Sequence, residues 1–284
     1  MGALRKQMDG DLVVRGMAVR TREAYLGAVA GLAKYYGRRP DRIDEAEVQR
    51  YLVHLIEERK LAWASCNVVA HGLKFFYRVT LKRPEAQFAI PTARQPQKLP
   101  QILAREEVAR LIERTAHPKH RAILMTAYGA GLRLNELCHL KVSDIDSSRM
   151  TIRVEQGKGA KDRYTLLSPR LLTELRRYWP LYRPKLWLFA SKDGAHPIND
   201  TTVQKIFYRA KARAGISKDC GIHGLRHAFA THLLEAGVDI HTIQRLMGHR
   251  HISSTLRYFH LARKHLANTP SPLELLEGAD TAPR

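Results

Sequence analysis

Apolar positions recur three and four apart through residues 1–85, and that spacing predicts helices. In "RTREAYLGAVAGLAKYYG", Tyr25, Val29, Leu32 and Tyr36 fall on one helical face, and Gly37 is placed to end the helix. Asp44, with Glu47 three residues on, has the form of a capping box ahead of Val48, Leu52 and Leu55. A third pattern, "ASCNVVAHGLKFFYRV", carries Lys74 and Arg78 among apolar residues. Between Arg83 and Leu103 the regularity stops, where four prolines remove backbone donors. A helical first domain over 1–85 and a basic, proline-containing linker over 86–103 are expected.

Helical spacing returns in "AREEVARLIERT" and again from His120, and it breaks at "YGAGLRLNEL". "MTIRVE" then alternates Met150, Ile152 and Val154 with Thr151, Arg153 and Glu155, the period of a half-buried strand. "RYTLL" at 163–167 can pair with it, which puts Lys158 near the tip of a hairpin. Four helical stretches follow: "DTTVQKIFYRAKARAG", "HGLRHAFATHLLEAG", "DIHTIQRLMG" and "SSTLRYFHLARKHL". The fold class predicted is mainly α with a small antiparallel β-sheet, in two domains. The second domain is expected over 104–265, with a tail over 266–284.

Charge narrows the class of partner. Forty-eight Lys and Arg oppose 27 Asp and Glu, a formal balance of +21. Such an excess concentrates polyanions, which points to nucleic acid or to an anionic membrane surface. No run of about 18 apolar residues is present to span a bilayer, and the first residues lack a secretory apolar core. Cys66, Cys138 and Cys220 are far apart and odd in number, which argues against a disulfide framework and for a reducing cytoplasm.

The polar residues of "HGLRHAFATHLLEAG" raise the question of chemistry. Leu225, Phe229, Leu233 and Ala236 make an inward stripe, but His223 and Arg226 crowd its N-terminal turn. That end of a helix is already partly positive, so an arginine there is unfavourable unless an anion binds. The residues alone leave open both a solvated basic helix end and an anion site. A metal fits poorly: His223, His227, His249 and His251 come with no HExxH and no Cys pair, and Arg226 and Arg250 would repel a cation. "QGKGAKDR" lacks the GxxxxGK[ST] pattern of a phosphate loop. No metal and no cofactor are expected.

Five segments, "AGLRLNEL", "GKGAKDR", "HGLRHAFATHLLEAG", "LMGH" and "SSTLRYFH", stand in the order and spacing of the tyrosine recombinases, the phage-integrase family. The resemblance covers the whole second domain, and "RTREAYLGAVAGLAKYY" resembles that family's helical, SAM-like core-binding domain. It implies Arg133, Lys158, His223, Arg226, His249 and Tyr258 as catalytic residues, with Glu136 in support. Asn135 stands where the family often has a small residue, a peripheral departure. Candidate DNA contacts are Arg20, Arg22, Lys74, Arg78, Lys161 and Arg163.

The implied chemistry suits these residue types. Two guanidiniums can clamp the nonbridging oxygens of a phosphodiester as charge builds on them. Tyr258 would attack phosphorus to form a covalent 3′-phosphotyrosine. A tyrosine hydroxyl ordinarily ionises near pH ~10, so a proton acceptor is required, and His223 is the candidate. Lys158 would protonate the departing 5′-oxygen. The family further implies a C-shaped grip on double-stranded DNA in the cytoplasm, at the nucleoid, and four protomers on two sites joined through the tail. The task would be integration, excision, transposition or resolution. A type IB topoisomerase and a noncatalytic sequence-specific DNA-binding protein are the alternatives.

Overall fold

The computed structural model describes residues 2–86, 88, 101–155 and 162–259, without the side chains of 257 and 259. Lys158 and Lys161, most of the expected linker and the whole expected tail lie outside these residues. The chain divides into two compact units, Met1–Gln97 and Lys98–Arg284.

The first unit is helical: α1 (Gly2–Val14), α2 (Val19–Tyr36), α3 (Glu45–Glu57) and α4 (Trp63–Phe75), the last running on into a π turn over Phe76–Thr80. Gly37 ends α2 in the left-handed conformation, at φ 63°, as the sequence predicts. Asp44 and Glu47 form the capping box, with the Glu47 N–H donating to Asp44 Oδ1 at 2.8 Å and the Asp44 N–H to Glu47 Oε2 at 3.0 Å. Val29, Leu32, Val48, Leu52 and Leu55 meet in the core, joined by Met8 and Leu12 of α1. The buried Tyr77 hydroxyl lies 2.8 Å from the carbonyl of Ile43 and so ties the π turn to the chain before α3. Ala86, at the start of the expected linker, belongs to this core.

The second unit holds α5 (Arg105–Glu113), α6 (Pro118–Gly129), α7 (Leu134–Cys138), α8 (Pro169–Tyr182), α9 (Asp200–Arg213), α10 (His223–Glu235), α11 (Ile240–Met247) and α12 (Ser253–Phe259). Its sheet is antiparallel in the order β1 (Ile145–Asp146), β2 (Thr151–Val154), β3 (Arg163–Leu166). The expected pairing holds, with Ile152 opposite Thr165 and Val154 opposite Arg163. Leu103, the last linker residue, is buried in this unit's core.

One expectation needs correcting. Helix α10 is not a one-sided amphipathic helix: Ala236 is exposed, while Gly224, Leu225, Arg226, Ala228, Phe229 and Ala230 are all buried. It runs through the middle of the unit, packed by α5, α6, α11 and α12. Its small residues let those neighbours close on sides that a stripe would have left to solvent.

Candidate active site

A helix end builds the site. The last carbonyls of a helix have no intrahelical partner and carry partial negative charge. At the end of α11, three consecutive carbonyls each receive one arginine. Arg163 Nε donates to Leu246 at 2.9 Å, Arg226 Nη2 to Met247 at 2.7 Å, and Arg133 Nη2 to Gly248 at 3.0 Å. These arginines come from β3, from the first turn of α10 and from the residue just before α7.

Glycine is required at the last of these carbonyls and at a further one, Gly131. Gly248 turns the chain at φ 61°, and a Cβ there would lie 2.7 Å from Arg163 Cδ. Gly131, at φ 60°, accepts Arg226 Nη1 on its carbonyl at 2.5 Å, and a Cβ there would meet the Phe229 ring at 2.4 Å.

Glu136 sits among the three guanidiniums. Arg163 donates to both of its oxygens, at 2.9 and 2.7 Å, and Arg133 adds Nη1 at 2.7 Å and its backbone N–H at 2.8 Å. Arg226 Nη1 lies 3.9 Å away. Burial alone would raise the carboxyl, but the Arg163 bonds and charge, then the Arg133 bonds, pull it down to about 2. Three guanidiniums around one carboxylate leave the cluster positive. Arg133 is its more open arm, with 26% of its side chain exposed against 6% for Arg226.

His249 braces the clamp. Arginine can only donate, so the 3.1 Å contact from Arg226 Nη2 makes His249 Nε2 an acceptor. The ring proton then lies on Nδ1, which donates to Thr255 Oγ1 at 2.8 Å. Burial, then the charges of Arg226, Arg133 and Arg163, hold the imidazole down at about 4, so it is neutral. Its ring stacks on Tyr258, with centroids 6.3 Å apart at 9°. Tyr258 is buried, packed in a cluster with Phe229, Ala230, Leu234, Ile243 and Met247.

Among the sequence candidates, Arg133, Glu136, Arg226, His249 and Tyr258 come together, and His223 opens α10 beside Arg226. Partial desolvation of the His223 ring, then Arg226 and Arg133, hold its pKa below the usual range. Two placements differ from expectation. The Tyr258 hydroxyl meets His227 Nδ1 at 2.9 Å, and His223 makes no hydrogen bond with a described residue. Arg163 is not an open DNA contact, because its side chain is 9% exposed and its guanidinium is committed to Glu136. Both residues were in sight in the sequence, one beside Arg226 and one in the strand after Lys158, but their partners were not.

In the first unit, Arg20 is exposed on α2, and Lys74 is half-buried on α4. Arg22 Nε lies 3.2 Å from Asp9, and Arg78 Nε donates to the carbonyl of Ala86 at 3.2 Å. Among the described residues no group of three or more His, Cys, Asp and Glu side chains is placed to hold a metal. Nor is any described helix long and apolar enough to cross a membrane.

Comparison with known proteins gives the same outline. The sequence profile of the phage integrase family matches residues 101–265, and that of its N-terminal SAM-like domain matches 4–87. A putative integrase/recombinase of Sinorhizobium fredii, y4qK, is 44% identical over 277 residues, 97% of this chain and 90% of its own length. The tyrosine recombinase XerA of Thermococcus kodakarensis is 36% identical over 80% of this chain and 81% of its own length. Among solved structures, a XerA recombinase is 26% identical with a TM-score of 0.56, covering 99% of this chain and 98% of that one. A lambda integrase tetramer bound to a Holliday junction is 21% identical with a TM-score of 0.69, covering 90% and 76%.

Proposed function

This chain belongs to the phage integrase family and is a tyrosine-type site-specific DNA recombinase, and on that premise we propose how its residues divide the work. The alternatives, a type IB topoisomerase and a noncatalytic DNA-binding protein, are not favoured, since the relatives are integrases and recombinases. The observation that carries the assignment is the meeting of Arg133, Arg226 and His249 at the end of α11, with Tyr258 stacked on His249.

A scissile phosphate is the anion this positive cluster suits. Arg133, the open arm, and Arg226 would hold its nonbridging oxygens, with His223 at the rim of α10 beside them. Held in that clamp, phosphorus becomes more electrophilic as the charge building on its oxygens meets fixed N–H donors. Tyr258 attacks it and is left joined to the 3′-phosphate, while the 5′-oxygen departs and takes a proton from Lys158. The phosphotyrosine keeps the energy of the broken bond, so a 5′-hydroxyl from a second duplex can reverse the step and exchange strands.

The lambda integrase tetramer on a junction supports an assembly of four protomers on two duplexes. We assign residues 266–284 to the contacts between them. Double-stranded DNA at the nucleoid would be the substrate, with Arg20, Lys74 and Lys161 as further backbone contacts.

A nicked suicide duplex tests this reading. It would be cut from the DNA flanking the gene at the segment the protein binds most tightly, and incubated in EDTA. Wild type should give a denaturant-resistant 3′-linked adduct that Tyr258→Phe does not give, although the variant still binds. Tight binding without any adduct on assembled DNA would favour the noncatalytic alternative.

A further inference from the structure

The nucleophile needs a proton acceptor, and the candidates are His223, His227 and His249. The hydrogen bonds separate them. His249 has both ring nitrogens engaged, Nε2 accepting from Arg226 and Nδ1 donating to Thr255. His223 makes no hydrogen bond with a described residue and lies on the exposed end of α10. His227, one helical turn further along α10, has Nδ1 2.9 Å from the Tyr258 hydroxyl, with ring centroids 5.6 Å apart.

We propose that His227 is a catalytic residue that takes the Tyr258 proton during strand cleavage. This rests on the reading of Tyr258 as the nucleophile. A phenol donates readily to an imidazole lone pair, so the neutral ring keeps its own proton on Nε2. As the Tyr258 oxygen closes on phosphorus, its O–H bond breaks and the proton passes to His227 Nδ1. The new oxygen–phosphorus bond forms while the bond to the 5′-oxygen breaks, and that oxygen leaves with its electron pair and is protonated by Lys158. His227 is left as an imidazolium. In the rejoining step the 5′-hydroxyl gives its proton back to Lys158 as its oxygen bonds to phosphorus. The bond from phosphorus to Tyr258 breaks, and His227 returns its proton to the departing Tyr258 oxygen.

The placement suits the task. His227 directly follows Arg226, so one turn of α10 fixes both the phosphate clamp and the acceptor. Its ring is half-buried, which keeps bulk water from competing for the proton. The His249 ring also stacks on Tyr258, which restrains the phenol beside His227.

The test measures single-turnover adduct formation on the nicked duplex for wild type, His227→Ala and His227→Asn, with duplex affinity measured in parallel. Asparagine can still hydrogen-bond the phenol but cannot take its proton. Both variants should bind the duplex as wild type does and form adduct roughly 10²- to 10³-fold more slowly. Added imidazole should restore part of the rate to His227→Ala. A wild-type rate in either variant overturns the proposal, and in His227→Asn it would reduce His227 to a positioning residue. Should the alanine variant not fold, the asparagine variant decides. If wild type binds the duplex but forms no adduct, the recombinase reading itself fails, and this proposal fails with it.

Discussion

Arg163 meets Glu136 end on, with two parallel N–H bonds of 2.9 and 2.7 Å between a strand residue and a carboxylate that is 7% exposed. The pair stands behind the clamp. Because Arg163 satisfies much of Glu136, Arg133 gives that carboxylate one guanidinium bond and its other arm goes to Gly248. Without Arg163, the carboxylate would draw Arg133 and Arg226 inward, away from the phosphate we propose they hold.

Arg163→Met should therefore destabilise the fold by about 1–3 kcal/mol, because the buried Glu136 keeps Arg133 but loses two charge-assisted bonds. In the double variant Arg163→Met, Glu136→Gln the loss should be smaller than the sum of the two single losses, because each single change already breaks the same pair. Urea unfolding of the four proteins measures the coupling. A loss in the double variant equal to the sum of the two single losses would mean that the two side chains contribute separately.

Gly248→Ala should cost stability and slow cleavage together. The left-handed φ alone disfavours alanine by roughly 1–2 kcal/mol. Its Cβ would also press on Arg163 Cδ at 2.7 Å, moving the guanidinium that holds Glu136. The alanine variant should melt lower than wild type and form adduct more slowly at unchanged duplex affinity. Wild-type cleavage in a destabilised variant would show that the turn matters to folding but not to the clamp.

Local signals were readable and long-range ones were not. The Gly37 stop, the Asp44 capping box and the alternation of Ile152 and Val154 depend on neighbours a few residues away, and each appears as expected. The recombinase segments singled out Arg133, Arg226, His249 and Tyr258, and the fold brings these four together. Two elements escaped the pattern. β1 is two residues long, too short for any period, while α8 lies outside the expected elements despite Ser168 capping it and Leu171, Leu175 and Tyr178 on its buried face. The support of the site was hidden for a different reason. Arg163 reaches a carboxylate 27 residues back and a carbonyl 83 residues on, and His227 reaches a hydroxyl 31 residues on. No periodicity encodes such meetings; they follow from packing the helices.

Thr255→Val is expected to act through His249. Threonine Oγ1 accepts the Nδ1 proton, which leaves Nε2 with the lone pair that Arg226 uses. Valine keeps the shape but strands that N–H in a buried position, at a cost of about 1–3 kcal/mol. The ring is then freed to move its proton to Nε2, where it would oppose Arg226. Adduct formation should slow, and the His249 tautomer should change in a nitrogen-15 NMR spectrum. An unchanged tautomer would show that Arg226 alone sets it.

Acid should weaken the second unit in two stages, and the sign follows from which state binds more protons. His249 and His120 are both lowered to about 4, chiefly by burial and then by nearby cations, so they stay neutral when folded. Unfolded, they take up protons near 6.5. Between pH 6.5 and 4 the unfolded state therefore binds more protons, and stability falls as pH falls. Glu136 acts lower. Its carboxyl is lowered from 4.5 to about 2, so from pH 4.5 downward the unfolded chain protonates it while the folded chain keeps its charge beside Arg163. Urea midpoints should drop from pH 7 to pH 4 and drop again toward pH 2, and Glu136→Gln should flatten only the lower stage. A midpoint constant from pH 6.5 to 4 would show that the histidines are not buried neutral, and the tautomer deduced for His249 would then be wrong.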